Sequence, residues 1–237
     1  MIRSLFIWIF FGVINTLFWA IFGIFLFLFS FSGRIVHFYC AAPWSRSILW
    51  ASGAKVEITG LDYIEKGKSY IFIPIHLSVF DIFSLLAYLP VDFKFILKKE
   101  LMWVPFLGWA MRGAGYLSID RSSPAKAKST IEQAINKIKA GASILIFAEG
   151  TRSRDGRLQP LKRGGFHLAM ESGSPIVPVA IKGTYQIMPK GSFRIKKGSI
   201  RIQVDRPIET TDYNKQTLPE LVQRVTGRLK AMLEEKG

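Results

Sequence analysis

The N-terminal stretch of the chain is the feature that most restricts how the chain can fold. Residues 4–33 include no charged side chain and are rich in Phe, Ile, Leu and Trp. A helix needs about 20 apolar residues to cross a bilayer, so this stretch is long enough to span one or to lie deep in one leaflet. A cleaved secretory signal has an apolar region of roughly 7–15 residues, which is shorter. We therefore expect a membrane anchor that stays in the mature protein.

The residues that follow have the composition of a membrane interface. Residues 34–52 combine aromatic side chains such as Trp50 with arginines such as Arg46, and both residue types concentrate at the headgroup level of bilayers. A single span and a pair of helices that enters and leaves one leaflet both fit this pattern. A core helix that is hydrophobic all round is a less favoured alternative. We expect residues 1–52 to form N-terminal membrane-anchoring helices and residues 53–237 to form a separate domain.

The chain carries a large excess of basic residues. Its 32 Lys and Arg against 17 Asp and Glu give a formal net charge of +15, which favours anionic partners such as nucleic acid, anionic lipid or a phosphorylated substrate. The hydrophobic fraction of 49% favours lipid. The lysines are not interleaved with aromatic residues, as in single-strand nucleic-acid binders. We expect an anionic leaflet as partner, no nucleic acid, and a domain on the cytoplasmic face of the inner cell membrane.

Beyond residue 53 the hydrophobic pattern alternates between strands and helices. Apolar runs that are rich in β-branched and aromatic residues predict strands buried on both faces, whereas helical spacing of apolar residues predicts amphipathic helices. Such alternation indicates an α/β fold with a mixed, largely parallel sheet flanked by helices. The predicted strands are 55–59, 70–75, 93–97, 116–119, 143–147, 176–181 and 200–204, and the predicted helices are 80–89, 124–140, 164–171 and 218–235.

A histidine and an aspartate follow the strand predicted at 70–75. Residues five apart in a regular helix point about 140° away from each other, so His76 can meet Asp81 only if His76 lies in the turn before the helix. A carboxylate on one ring nitrogen would then fix the tautomer and leave the other nitrogen free to accept a proton. The alternative is structural: Ser78 and Asp81 have the spacing of a capping box, in which Asp81 satisfies backbone N–H groups and Ser78 is the N-cap.

Two further strands end in polar side chains. The strand predicted at 116–119 leads into Arg121, and the strand predicted at 143–147 leads into Glu149 and Arg152. Arginine side chains bind phosphate oxygens with two hydrogen bonds, and Lys98 adds a nearby ammonium group, so a phosphate site is one interpretation. A surface ion pair and a simple turn are the alternatives.

Four sequence blocks together resemble the glycerolipid acyltransferase family, in particular the bacterial 1-acyl-glycerol-3-phosphate acyltransferases. The blocks are, in order, HLSVFD (76–81), GYLSIDR (115–121), EGTRS (149–153) and IVPVA (176–180). The stretch KKEL (98–101) and the N-terminal anchor resemble the same family. One departure is Ile75, since asparagine often precedes the histidine in this family.

The resemblance implies acyl transfer from a thioester, acyl-CoA or acyl-ACP, to the sn-2 hydroxyl of lysophosphatidic acid. His76 would be the general base and Asp81 its orienting acid. Arg152, Arg121 and Lys98 would bind the acceptor phosphate. The glycerol site would be shaped by Glu149, Gly150 and Thr151, and Pro178 would have an acyl-donor or packing role.

Other functions remain open at this stage. A relative could acylate glycerol 3-phosphate at sn-1, a lyso-ornithine lipid or another lysolipid, and a basic lipid-binding membrane protein without catalysis is an alternative from another class. We expect no metal and no cofactor beyond the thioester co-substrate. The three histidines lack the HExxH spacing of many zinc enzymes, and a single cysteine, Cys40, supplies no thiol-based zinc site.

Overall fold

The computed structural model describes residues 1–120 and 124–235, and of residues 124–127 it describes the backbone only. The described strands are β1 (Ala54–Thr59), β2 (Ile71–Pro74), β3 (Phe93–Lys98), β4 (Leu117–Ile119), β5 (Ser143–Leu145), β6 (Ile176–Lys182) and β7 (Gly198–Val204). The described helices are α1 (Ile2–Ser30), α2 (33–52), α3 (Phe80–Tyr88), α4 (Leu107–Gly113), α5 (Pro124–Lys139), α6 (Gly164–Ser172), α7 (Thr184–Ile187) and α8 (Leu218–Glu234).

The strands form a seven-stranded sheet in the order β1-β7-β6-β2-β5-β3-β4. Every neighbouring pair is parallel except β6 and β7, which are antiparallel. The predicted mixed, largely parallel sheet flanked by helices is therefore confirmed. In parallel strands the carboxyl ends share one edge of the sheet, so the ends of β2, β3, β4 and β5 lie together.

The central strands are the most deeply buried part of the molecule. The side chains of Ile71, Phe72 and Ile73 in β2 are fully buried, as expected for a strand covered by helices on both faces. Strand β2 is shorter than the predicted 70–75 and β5 is shorter than the predicted 143–147. The pairing nevertheless continues beyond β5, because Ile146 N–H donates to the Phe72 carbonyl at 3.0 Å.

Helix α1 lies along the surface of the domain. At its start Ser4 Oγ accepts a hydrogen bond from Ile195 N–H at 3.0 Å, and Trp8 Nε1–H donates to the Phe193 carbonyl at 2.8 Å. Near its end Phe27 packs against α4, since a Cβ on Gly113 would lie 3.2 Å from Phe27 Cβ. The helix is long and apolar enough to cross a membrane.

The exposed side of α1 consists of large apolar side chains, and we call this surface the apolar stripe. Only 11% of the most apolar part of this helix is buried, which excludes a core helix buried on all sides. The side chains of the stripe recur every four residues and are at least 43% exposed: Leu5, Ile9, Val13, Leu17, Ile21, Phe25 and Phe29. The inner side contributes Ile7 to the same apolar core as α2 and the sheet. The domain boundary at residues 52 and 53 stays a prediction.

Two described helices, α4 and the four-residue α7, were missed by the sequence pattern, and α4 is the one that bears on the site. The pattern indicated a helix start near Lys98 that Pro105 interrupts, whereas the structure has a short 3₁₀ turn, Lys99–Trp103, and then α4 after the proline. Proline cannot donate the backbone hydrogen bond of a helix interior, so the chain turns at Pro105 and starts a new helix. This helix packs against α1 and positions one wall of the site described below.

Candidate active site

The structure places His76 at the carboxyl edge of the sheet, in the turn between β2 and α3. Ile75 N–H still pairs with the Val179 carbonyl of β6 at 3.1 Å, so the extended backbone ends immediately before the histidine. Open α/β sheets bind ligands at this edge. The His76 side chain is 13% exposed, which leaves it reachable from outside while most of the ring is covered.

Asp81 contacts the histidine as the spacing predicted. Its Oδ2 lies 3.0 Å from His76 Nδ1 and also accepts hydrogen bonds from Leu77 N–H at 2.6 Å and Ser78 N–H at 2.7 Å. The carboxylate therefore contacts the backbone of the turn and the imidazole at once, while the catalytic role of the pair stays a prediction. Asp81 is fully buried, and among the described residues its Oδ1 has no hydrogen-bond partner. Since Asp81 occupies the Nδ1 side, Nε2 is the nitrogen that can exchange a proton with a ligand.

Ser78 fixes the same turn to a distant loop. Its Oγ–H donates to the Met188 carbonyl at 2.7 Å, and its Oγ accepts from Phe80 N–H at 3.2 Å. The helix N-cap is Val79 rather than the predicted Ser78. Val79 already has helical dihedral angles, φ −67° and ψ −23°, although Ser78 Oγ still accepts from Phe80 N–H, the kind of hydrogen bond that an N-cap side chain makes.

The phenyl ring of Phe147 packs on one face of the His76 imidazole. Phe147 stacks on His76 with ring centroids 3.8 Å apart and ring planes inclined by 18°, and Phe95 of β3 stacks behind Phe147 at 6.1 Å. The stack limits rotation of the histidine about its side-chain bonds. A ring held by both a carboxylate and a stacking partner is preorganised for proton transfer.

Glu149 joins two strand ends beneath the histidine. Its Oε1 accepts from His76 N–H at 2.5 Å and its Oε2 accepts from Gln159 N–H at 2.8 Å. Only 3% of the residue is exposed. Burial raises the pKa of this carboxyl from about 4.5 to about 7, against the lowering effect of the two backbone hydrogen bonds. The next residue, Gly150, has φ +77°, a conformation that side chains disfavour. The glycerol-site role of these residues stays a prediction.

The raised pKa of Glu149 predicts a pH-dependent contribution to stability. Between pH 4.5 and about 7 the folded protein retains a proton that the unfolded chain has lost, so this group's contribution to the free energy of unfolding falls as pH rises. Glu149→Gln removes the titration. Between pH 4.5 and 7.5 we expect the free energy of unfolding of the wild type to fall by about 1–3 kcal/mol more than that of the variant. The melting temperature of the wild type should fall accordingly relative to that of the variant. Calorimetry in detergent checks this, and parallel melting curves across that pH range would contradict it.

Lys190, which no sequence motif marks, contacts the third of the four sequence blocks, EGTRS (149–153). Lys190 Nζ donates to Thr151 Oγ1 at 2.8 Å and to the Arg152 carbonyl at 3.1 Å. Arg152 itself is partly exposed. The contact was not predictable from the sequence, because Lys190 belongs to a loop after α7 that no motif marks. The structure therefore adds a second cation beside Arg152.

The other predicted site residues are placed as follows. Lys98, at the end of β3, has a 72% exposed side chain whose Nζ lies 3.5 Å from Glu100 Oε1. Pro178 is buried in β6 opposite Ile73 of β2, and its carbonyl accepts from Asp205 N–H at 3.0 Å. Arg121 lies outside the described residues. The contacts of Pro178 agree with the packing alternative, while the roles of all three in substrate binding stay predictions.

An apolar cavity of about 280 Å³ begins beside the turn that holds His76. Its walls include Val79 and Phe80 next to the histidine, Phe95 and Leu97 of β3, and side chains of α1 such as Trp8. Its lining residues come from several separate segments of the chain, so the cavity could not be predicted from the sequence. Its lining suits a hydrocarbon chain. Across residues 1–120 and 124–235 no cluster of three or more His, Cys, Asp or Glu residues is arranged to hold a metal ion.

Comparison with known proteins gives consistent results. Residues 55–182 match the acyltransferase family profile. The chain is 36% identical over 179 residues, 75% of its length, to a protein named 1-acyl-sn-glycerol-3-phosphate acyltransferase from Limnanthes douglasii, and it spans 63% of that protein. It is 34% identical over 188 residues, 78% of its length, to a protein of the same name from Saccharomyces cerevisiae, and it spans 62% of that protein.

A solved structure is similar over the whole chain. The crystal structure of the 1-acyl-sn-glycerophosphate acyltransferase PlsC from Thermotoga maritima superposes with a TM-score of 0.81 at 25% identity, covering 100% of this chain and 98% of that one. The match therefore includes the N-terminal helices as well as the sheet. With the profile match and the His76–Asp81 geometry, these similarities show that the chain belongs to the acyltransferase family.

Proposed function

We propose that this protein transfers a fatty acyl group from a thioester to the sn-2 hydroxyl of 1-acyl-glycerol 3-phosphate, which yields phosphatidic acid for phospholipid synthesis. The observation that carries the proposal is the His76 imidazole, held at Nδ1 by Asp81 at 3.0 Å beside an apolar cavity. The relatives from Limnanthes, yeast and Thermotoga bear the names of enzymes for this reaction.

In the proposed reaction His76 Nε2 accepts the proton of the acceptor hydroxyl as its oxygen attacks the thioester carbonyl. A carbon–oxygen bond forms, the carbon–sulfur bond breaks, and the proton passes from the imidazolium to the leaving thiolate. Asp81 stabilises the imidazolium while it exists. General-base assistance of this kind contributes typically ~10²–10⁴ in rate. The substrate hydroxyl is the nucleophile, so the mechanism needs no nucleophilic side chain.

The tetrahedral intermediate carries an oxyanion that needs a hydrogen-bond donor. The N–H groups of Leu77, Ser78, Phe80, Asp81 and Ile82 all donate within the turn itself. In the described structure Val79 N–H is the group of this turn left for another acceptor, and Val79 also lines the cavity. We assign it as the candidate oxyanion donor.

We assign the binding of the acceptor phosphate to two cations, Arg152 of the third sequence block and Lys190, which contacts that block. Arg152→Ala and Lys190→Met each remove a positive charge beside Thr151, and a hydrogen bond to a charged group contributes about 1.5–3 kcal/mol. We expect each change to raise the KM for lysophosphatidic acid roughly tenfold to a hundredfold, with a smaller change in kcat. Steady-state kinetics against lysophosphatidic acid and the uncharged 1-acylglycerol measure the effect.

The exposed Lys230 on α8 supplies the matched control for the phosphate variants. Lys230→Met removes the same charge without touching the third block, so its KM should equal that of the wild type. An unchanged KM in Arg152→Ala or in Lys190→Met would reject the phosphate role of that residue.

We assign the apolar cavity to the acyl chain of the thioester donor. The N-terminal helices are assigned to membrane binding. The cavity walls are almost entirely apolar, which suits the acyl chain of acyl-CoA or of acyl-ACP. Helix α1 rests on the domain at both ends with its apolar stripe outward, which supports insertion into one leaflet rather than a span. On this basis we propose that the protein binds the anionic cytoplasmic leaflet of the inner membrane.

The test is acyl transfer by the purified protein in detergent micelles. Acyl-CoA and acyl-ACP are each offered with lysophosphatidic acid, glycerol 3-phosphate and a lyso-ornithine lipid as acceptors. We expect phosphatidic acid with at least one donor and far slower transfer to the other acceptors. Folded protein that prefers glycerol 3-phosphate or the ornithine lipid would replace the acceptor assignment. Folded protein inactive with every pair would favour the non-catalytic lipid-binding alternative.

A further inference from the structure

The segment after β3 exposes an unusual amount of apolar surface. Residues 101–109, which we call the aromatic segment, include no charged residue. Five of its large apolar side chains are exposed: Leu101 by 41%, Trp103 by 73%, Val104 by 42%, Phe106 by 40% and Trp109 by 53%. Contiguous exposed apolar surface of this kind marks an interaction site.

The backbone of this segment is strained in a way that presents the surface outward. Phe106 has φ +60° and ψ −54°, and Leu107 N–H donates to the Pro105 carbonyl at 2.6 Å across it. This is the γ-turn with positive φ, which is rare for residues with a side chain. Strained conformations persist at sites where the surrounding structure requires them. Here the turn keeps an exposed phenyl ring at the tip of the segment.

The aromatic segment leads into a helix that packs on α1. Helix α4, which carries the end of the segment, packs on α1: a Cβ on Gly23 would lie 3.7 Å from Ala110 Cβ, and Gly113 approaches Phe27. On its inner side the segment contributes Leu101 and Leu107 to the wall of the apolar cavity. The segment therefore lies beside the cavity, and the helix at its end packs on the candidate membrane helix.

The position and charge of the segment identify what covers it. It follows β3, whose carboxyl end lies at the same sheet edge as His76, and Phe95 of β3 connects to the histidine through Phe147. Lys98, Lys99 and Glu100 precede the segment and Arg112 follows it, so three basic residues and one acidic residue flank it and the flanks are basic on balance. Tryptophans bordered by basic residues are typical of the boundary between acyl chains and anionic headgroups.

We propose that the aromatic segment inserts into the same leaflet as α1 and is a second membrane contact, which turns the catalytic edge of the sheet toward the bilayer. A lysolipid acceptor can then present its hydroxyl to His76 without leaving the leaflet. The inference rests on the proposed function only for this consequence, whereas insertion itself can be measured without catalysis.

Insertion is tested by tryptophan fluorescence. The full-length protein is bound to phosphatidylcholine–phosphatidylglycerol vesicles whose acyl chains carry bromine near the headgroups, which quenches only tryptophans that enter the bilayer. The emission that Trp103 contributes is the difference between the wild type and Trp103→Phe, measured once on brominated and once on unbrominated vesicles. If Trp103 is inserted, this difference becomes much smaller on the brominated vesicles. A difference that is equal on both kinds of vesicle means that Trp103 stays in water, and this would overturn the proposal.

The consequence for catalysis is tested with Trp103→Lys and a matched control, Tyr63→Lys. Tyr63 is 40% exposed after β1, at the opposite edge of the sheet. Because a lysine is strongly unfavourable in hydrocarbon, we expect Trp103→Lys to lower kcat/KM about tenfold for lysophosphatidic acid in vesicles. The same variant should act normally on a short-chain acceptor that dissolves as a monomer, and Tyr63→Lys should act normally on both.

The outcomes separate the two proposals. Equal activity of Trp103→Lys and wild type on vesicles, or an equal loss on both acceptors, would overturn the membrane orientation by the aromatic segment. If the wild type transfers no acyl group to either acceptor, the proposed function fails, and the fluorescence result alone decides whether the segment inserts.

Discussion

Replacement of His76 by alanine should lower kcat for acyl transfer by roughly 10²–10⁴. The imidazole is held against Asp81 and beside the apolar cavity, and the carboxylate of Asp81, the other titratable group of the turn, is fully buried. The ring is partly exposed and its backbone N–H bond to Glu149 does not need the side chain, so the variant should fold. Stopped assays with lysophosphatidic acid measure kcat, and circular dichroism checks the fold.

The matched control for this prediction is His167→Ala. His167 lies on α6 and is partly buried like His76, but it is not part of the catalytic turn. Its replacement should leave kcat within about twofold of the wild type, well inside the factor of ten that 1.4 kcal/mol represents. Normal turnover in His76→Ala would remove the histidine from the mechanism, whatever the control shows.

Two replacements of Asp81 should separate its catalytic and structural roles. In Asp81→Asn the side-chain oxygen can still accept from Leu77 N–H and Ser78 N–H, but the charge that stabilises the imidazolium is lost. We expect kcat to fall by roughly 10³–10⁴, as in other histidine–carboxylate pairs, with a small change in melting temperature. Asp81→Ala also removes the cap, so unfolding should become easier by about 1–3 kcal/mol.

Kinetics and calorimetry on the two Asp81 variants measure both effects. If Asp81→Asn keeps wild-type turnover while Asp81→Ala loses it together with stability, the carboxylate acts only as a cap. That result would contradict the assignment of Asp81 as the orienting acid.

The histidine and aspartate were predictable because their contact is local. A strand followed by a turn and a helix fixes the relative positions of His76 and Asp81 within five residues, and both residue types are visible in the sequence. The central strands were predictable for a similar reason, since continuous apolar runs such as the one in β2 suit strands covered on both faces.

The rest of the site depends on contacts that the order of residues along the chain does not reveal. Lys190 contacts Thr151 because the loop after α7 lies next to the residues that follow β5. Phe147 stacks on His76 from a neighbouring strand. The cavity is lined by α1, α4 and β3, so it forms only when α1 packs on the domain. The contacts of Glu149 with the backbone N–H groups of His76 and Gln159 likewise join distant parts of the chain, and its predicted role in the glycerol site stays a prediction.

The most direct test of the central proposal is the position of the transferred acyl group. Wild-type protein is incubated with 1-acyl-glycerol 3-phosphate and a thioester whose acyl chain carries an isotopic label, and the phosphatidic acid is then cleaved by a phospholipase specific for the sn-2 ester. We predict that all of the label is released with the sn-2 fatty acid. Label that stays at sn-1, or that appears only as free fatty acid without phosphatidic acid, would contradict the proposed reaction.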